Sequence, residues 1–203
     1  MSFMLFGIVI ISLCGASVYG WPDGAPCKKN VVDSMNPLLA EEHAGGLQLT
    51  EPPYRIDLDA KCYWKNQPIT LTLRGNTTKT YFKGFVIQPL IYKGIRKGKR
   101  SGKLVRLDDN GSWRQQCFRT QDSVTNAHEE DKNELKLWWK NDKDDDYTVQ
   151  FVATVVKSQR VFWVKSVLSK PLPPCRLHRT FDDYQPPPIT PPPELHPFKL
   201  RNF

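Results

Sequence analysis

Between residues 54 and 168 the chain consists of short apolar or alternating segments separated by turn residues, and this pattern most constrains its fold. In the clearest segments, Tyr54–Leu58 and Ile69–Leu73, apolar side chains alternate with polar ones, which indicates strands with one buried face. No part of this stretch shows a sustained helical period. The further predicted strands are residues 82–92, 104–107, 113–118, the run around Leu135 and Trp138, 147–156 and 161–168.

Seven or eight short strands over roughly 120 residues predict an all-β domain, an immunoglobulin-like antiparallel β-sandwich. A small β-barrel is the alternative architecture. The polar connector Lys157-Ser158-Gln159 indicates that the last two strands form a hairpin. Trp138 and Trp139 are adjacent, so in a strand at most one of them lies in the core. Residues 21–50 contain several Pro and Gly breakers and are expected to be irregular.

The two ends of the chain differ from this central region. Residues 1–20 are an apolar leader that ends in small residues, which is typical of a secretory signal peptide cleaved near Gly20. No later segment approaches the roughly 20 apolar residues of a membrane-spanning helix, so we expect a secreted, extracellular protein without a transmembrane anchor. The folded domain is predicted at residues 21–175, and residues 176–203 are predicted to be a disordered, extended, Pro-rich tail.

Export also determines how the cysteines and asparagines are interpreted. An even number of cysteines in an oxidising compartment predicts two disulfides. The cysteines that follow the leader are Cys27, Cys62, Cys117 and Cys175. Asn76 and Asn110 each begin an Asn-x-Ser/Thr tripeptide in a turn-like setting, so both are predicted N-glycosylation sites.

The chain is basic, with a formal net charge of +8, and six of its cations are interspersed with glycines between two predicted strands. Several cations on one loop can bind sulfate or phosphate groups of heparan sulfate, lipopolysaccharide or anionic lipid. The alternative is a solvated loop that keeps the protein soluble. Nucleic acid is not an expected partner of an exported protein. The predicted anionic-ligand residues are Lys93, Arg96, Lys97, Lys99, Arg100 and Lys103.

No residue pattern predicts catalysis, a metal site or a cofactor. The four histidines lack a Cys or His partner at zinc-binding spacing, and no Gly-rich phosphate loop follows a strand. The acidic run 142–146 lacks the alternation and the glycine of an EF-hand, so a solvated turn is favoured over a calcium site. The histidines are His43, His128, His178 and His196.

Several short phrases follow one another in an order that resembles the reeler (reelin-like) domain, over roughly residues 21–168. The phrases are Gly24-Ala25-Pro26, Met35-x-Pro37, His43, Pro53-Tyr54-x-Ile56, Gly84-Phe85-Val86-Ile87-Gln88, Cys117 followed by Val124-Thr125, Leu135-Lys136-Leu137-Trp138-Trp139, Phe151-x-Ala153-Thr154-Val155-Val156 and Phe162-Trp163.

The resemblance implies an immunoglobulin-like sandwich and two disulfides, Cys27 to Cys117 and Cys62 to Cys175. One departure is that Cys27 directly follows Pro26, whereas the family's first cysteine usually lies a few residues further on. The short secreted members of the family imply a non-catalytic binding protein of innate immune defence, with an antimicrobial role through a microbial surface or sulfated glycan. Two alternatives stay open: an extracellular-matrix or adhesion module that binds sulfated glycosaminoglycans, and an accessory domain of a haem-type redox system.

Overall fold

The computed structural model describes residues 24–25, 29–40, 43–105, 114–117, 121–143 and 146–178. Within these ranges nine strands form two antiparallel sheets, which confirms the predicted all-β sandwich. One sheet has the order β1-β2-β7-β4 and the other β5-β6-β3-β8-β9. The strands are β1 (Tyr54–Leu58), β2 (Ile69–Gly75), β3 (Gly84–Ile91), β4 (Lys103–Val105), β5 (Arg114–Cys117), β6 (Ser123–Asn126), β7 (Glu134–Lys140), β8 (Val149–Ser158) and β9 (Val161–Leu168).

The main hydrophobic core lies between the two sheets. Strands β2 and β7 are paired so that Leu71 lies opposite Leu137, and all the apolar side chains on this face are buried. Trp139 meets Phe151 of the opposite sheet edge-to-face, with ring centroids 5.5 Å apart. Trp139 is fully buried while Trp138 is only partly buried, as the alternation of a strand requires.

The predicted β8–β9 hairpin is confirmed, and the two strands are separated by residues 159–160. Strand β6 was not predicted, although all four of its residues are buried. Val124 is its only strongly apolar residue. Its other three residues are polar, and hydrogen bonds to neighbouring groups allow Thr125 and Asn126 to be buried. Thr125 Oγ1 donates to the Phe85 carbonyl at 2.9 Å, and Asn126 Oδ1 accepts from the Phe85 amide at 3.2 Å. Hydrophobic periodicity does not detect a strand that is buried through hydrogen bonds.

The segment predicted to be irregular contains helix α1 (Lys29–Ser34) and a 3₁₀ turn at Pro37–Leu39. This N-terminal segment lies on the outer face of the five-stranded sheet, where Val32 and Met35 pack against Val86 and Val152. The Thr154 hydroxyl donates to the Met35 carbonyl at 2.6 Å. The same coverage explains why β3 is apolar on both faces.

The C-terminal part of the described chain is joined to the segment between β1 and β2. A disulfide connects Cys62 to Cys175, the pair that the resemblance implied. The amide of Tyr63 donates to the Pro173 carbonyl, and the amide of Cys175 donates to the Tyr63 carbonyl. Helix α2 (Cys175–His178) follows, and the predicted tail from residue 179 onward lies outside the described residues.

Candidate anionic-ligand site

Five of the six predicted cationic residues lie on one loop, residues 92–102, which joins β3 to β4 and is called the basic loop below; the sixth, Lys103, is the first residue of β4. Its two arms are hydrogen-bonded to each other, since the Ile91 amide donates to the Lys99 carbonyl at 2.8 Å and the Gly98 amide to the Ile91 carbonyl at 2.9 Å. Two tight turns shape its outer part, closed by Lys97 N to Gly94 O at 3.0 Å and Lys99 N to Arg96 O at 3.0 Å. The loop therefore continues β3 outward as an ordered projection.

The structure divides the six predicted cations into two groups. Four of them are exposed, and none of these four has a carboxylate partner in the part of the chain that the structure describes. One member, Arg96, places its guanidinium carbon 5.7 Å from the centroid of the Tyr147 ring, a cation–π arrangement. The exposed group consists of Lys93, Arg96, Lys97 and Lys99.

Arg100 belongs to the second group, because two carboxylates already bind its guanidinium. Its Nη1 lies 2.6 Å from Asp33 Oδ1 of α1, and its Nε lies 3.3 Å from Asp122 Oδ2 beside β6. Only 26% of the side chain is exposed. Arg100 therefore holds the base of the basic loop against α1 and β6, and its charge is neutralised within the fold.

Lys103 is also neutralised, by Asp142 after β7, with 2.8 Å between its Nζ and Asp142 Oδ2. The hydrogen bond from Lys103 lowers the pKa of the Asp142 carboxyl. Asp146 forms an ion pair with Arg176, while residues 144–145 lie outside the described part. Within the described residues no group of three or more His, Cys, Asp or Glu is placed to hold a metal ion.

Sequence reasoning missed three residues that determine the properties of this loop: two carboxylates that bind Arg100 and one exposed apolar side chain. Asp33 and Asp122 lie far from Arg100 in sequence or in a different element, so no local pattern pairs them. Ile95 is a single apolar residue between Gly94 and Arg96, and its side chain is fully exposed at 106%. In the sequence, the one feature that points to Ile95 is its position as a single apolar residue within a cationic run.

The other predicted site residues lie elsewhere. Asn76 is exposed in the turn after β2, where its Oδ1 accepts from Arg55 Nη1 at 3.3 Å. Glycosylation at Asn76 stays a prediction, and Asn110 lies outside the described residues. Cys117 is placed only through its backbone in β5, and Cys27 lies outside the described residues, so their disulfide also stays a prediction.

The histidines are distributed over separate parts of the chain. The Nδ1 of His43 lies 2.7 Å from the Gln159 carbonyl, and its ring packs edge-to-face on Phe162 with centroids 5.5 Å apart. His128 is exposed, and its carbonyl accepts from Lys132 Nζ at 3.0 Å. The side chain of His178 and all of His196 lie outside the described residues.

The order and spacing of these elements agree with a known domain. The family model described as Reeler domain matches residues 30–175, from α1 to the Cys175 disulfide. The chain belongs to the reeler domain family. The basic loop, both sheets and the N-terminal segment from Asn30 onward therefore all belong to the reeler domain.

Two kinds of reeler relatives are similar to the chain. It is 30% identical over 169 residues to Defense protein l(2)34Fc of Drosophila melanogaster, covering 80% of this chain and 96% of that protein. It is 29% identical over 164 residues to an Antheraea mylitta protein named "Putative defense protein 3", covering 81% and 92%. It is also 24% identical over 171 residues to Ferric-chelate reductase 1 of Mus musculus, but spans only 27% of that protein's length.

The fold also matches a solved structure. The human F-spondin reeler domain superimposes with a TM-score of 0.51 at 17% identity, over 64% of this chain and 94% of that domain. At this identity the match concerns the fold alone. Among the described residues, no helix is long and apolar enough to cross a membrane.

Proposed function

We propose that this reeler protein is a secreted, non-catalytic binding protein of innate defence that recognises an anionic or glycan surface through its basic loop. The observation that carries the proposal is the exposed group of four cations on an ordered projection, without carboxylate partners in the described part of the chain. The names of the Drosophila and Antheraea relatives, which the chain matches over nearly their full length, support the defence role.

The chemistry of the loop supports recognition rather than turnover. Four cations that are not neutralised within the described fold can pair with phosphate or sulfate groups at little cost in competing ion pairs. Each cation near an anionic surface contributes about 1 kcal/mol, and the sum falls as salt screens the charges. A signal peptide at residues 1–20, which the sequence predicts and which lies outside the described residues, would bring the loop to the extracellular space where such surfaces occur.

The test is binding of the protein to whole bacteria, lipopolysaccharide and heparin across a salt series. The test variant carries Ser in place of Lys93, Arg96, Lys97 and Lys99. At about 1 kcal/mol per charge, the loss of four charges is expected to weaken binding at low salt by up to roughly a thousandfold. Arg100 is left intact because its side chain supports the loop.

The matched control removes four positive charges from other exposed positions. Lys61, Lys79, Lys157 and Lys170 are exposed and lie outside the basic loop, so their change to Ser gives the same net charge. Equal losses in both variants would contradict a site on the loop and indicate a diffuse charge effect. Binding to heparin without binding to bacteria or lipopolysaccharide would instead favour the extracellular-matrix role.

A further inference from the structure

The turn from Gly94 to Lys97 in the basic loop carries one apolar residue. Ile95 is as exposed as it would be in an extended peptide, and among the large apolar residues in the described part of the chain only Leu49, at 94%, is comparably exposed. Apart from the adjoining residues, no atom of the described chain lies within 4 Å of the position that a Cβ on Gly94 or Gly98 would occupy, so the loop is open before and after Ile95. A single exposed apolar side chain is ordinary on a protein surface, so its surroundings decide what it means.

Those surroundings are cationic. Lys93 and Arg96 lie within two residues of Ile95, and Lys97 and Lys99 follow on the same projection, all exposed. Tyr92, at the start of the loop, is also exposed, and tyrosine is a residue type enriched where one end of a side chain is apolar and the other wet. The loop thus combines one exposed apolar side chain with exposed cations on both sides of it in the sequence.

This combination distinguishes between two anionic surfaces. A sulfated glycan offers charge but no apolar layer, so it would leave Ile95 in water. An anionic bilayer offers phosphate groups at the depth of the cations and an acyl boundary immediately beneath them. Only the bilayer satisfies the charge and the apolar side chain together.

The loop is also ordered before it meets a partner. Its arms are joined by the Ile91–Lys99 and Gly98–Ile91 hydrogen bonds, and Arg100 holds its base to Asp33 and Asp122. A preordered loop loses little conformational freedom on binding, which leaves more of the contact energy for affinity.

We propose that the basic loop is a membrane-docking tip, which binds anionic lipid bilayers with Ile95 inserted at the boundary between headgroups and acyl chains. This inference rests on the proposed function and deepens it, since it names the surface as lipid and adds an apolar contact to the ionic ones.

The test is cosedimentation of the protein without its predicted signal peptide, residues 21–203, with vesicles of phosphatidylcholine, alone or mixed with phosphatidylglycerol. The unmodified protein is expected to bind only the mixed vesicles. Ile95→Ser keeps every charge and is expected to weaken that binding by roughly tenfold or more, which corresponds to the transfer of one isoleucine side chain out of water. Retention of the same variant on heparin is expected to stay unchanged.

Leu49→Ser is the matched control, because Leu49 is nearly as exposed but lies outside the loop, and it is expected to bind vesicles as the unmodified protein does. Ile95→Leu is expected to retain binding, and thermal melting checks that each variant is folded. Vesicle binding by Ile95→Ser at full affinity would overturn the inserted tip. Heparin binding without any vesicle binding would overturn the membrane inference and leave the proposed function standing, whereas loss of every interaction would remove both.

Discussion

Gly102 shows how a single residue controls the packing beneath the basic loop. The indole Nε1 of Trp139 donates to the Ser101 carbonyl at 2.9 Å, which brings the ring against the backbone of the next residue. A Cβ on Gly102 would lie 2.4 Å from that nitrogen, and the φ of Gly102 is +73°. Any other residue therefore meets both a steric overlap and an unfavourable backbone conformation.

Gly102→Ala is expected to lower the free energy of unfolding by about 2–5 kcal/mol, the sum of the left-handed backbone cost and core overpacking. Urea denaturation followed by tryptophan fluorescence measures the change. Gly94→Ala is the control, since Gly94 has a φ of +89° but nothing within 4 Å of its Cβ position. Only the backbone cost of about 1–2 kcal/mol is expected there, so equal losses in the two variants would contradict the role given to Trp139.

At the scale of elements, alternation of apolar and polar residues predicts the strands that have one buried face. It does not predict elements whose burial depends on tertiary contacts. Strands β1, β2, β8 and β9 have apolar faces that one buried core explains, so their patterns were readable. Strand β6 is buried through the hydrogen bonds of Thr125 and Asn126, and α1 spans only six residues, too short for a helical period. Both depend on partners that are distant in sequence.

The candidate site shows the same division between local and distant information. The cationic run was visible as composition, and four of its six members are exposed as a binding role requires. The neutralisation of Arg100 was not visible, because Asp33 lies 67 residues away and reaches it only through the packing of α1. The spacing of residues within a short segment does not predict a contact between residues that far apart in the chain.

The Lys103–Asp142 pair joins β4 to the segment after β7, and it predicts an acid dependence of stability. The pKa of Asp142 is lowered below its ordinary value of 3.8, mainly by the hydrogen bond from Lys103. A carboxyl with a lowered folded-state pKa stabilises the fold above its unfolded-state pKa, and this contribution is lost as the pH falls through the folded-state pKa. Asp142→Asn is therefore expected to destabilise the protein at pH 7 and to have a smaller effect below pH about 3.

Urea denaturation of both proteins at a series of pH values measures this difference. Asp131→Asn is a suitable control, since Asp131 is exposed and has no ion pair among those found in the described part of the chain. A loss of stability in Asp142→Asn that is the same at every pH would show that the carboxylate charge has no role.

At the scale of the whole molecule, one covalent bond joins the segment between β1 and β2 to the chain that follows β9. The Cys62–Cys175 disulfide closes a loop with a sequence separation of 113 residues, which contains β2 to β9. Replacing both cysteines with Ser is expected to lower the free energy of unfolding by roughly 4–5 kcal/mol in the chain-entropy model. Urea denaturation measures the loss.

The hydrogen bonds of Tyr63 to Pro173 and Cys175 stay available in the double Ser variant, so the fold itself is expected to be retained. Circular dichroism before denaturation checks this point. A double variant as stable as the unmodified protein would mean that these noncovalent contacts alone hold the C-terminal segment.

The long separation within this disulfide also sets an order of events during biosynthesis. Cys62 emerges from the ribosome 113 residues before its partner, a delay of roughly 6 to 23 seconds at translation rates of about 5–20 residues per second. During that interval β2 to β9 are synthesised, the native partner of Cys62 is absent, and Cys117 emerges before Cys175. Correct oxidation therefore depends on the nascent chain keeping Cys62 from pairing with Cys27 or Cys117 until Cys175 has been synthesised.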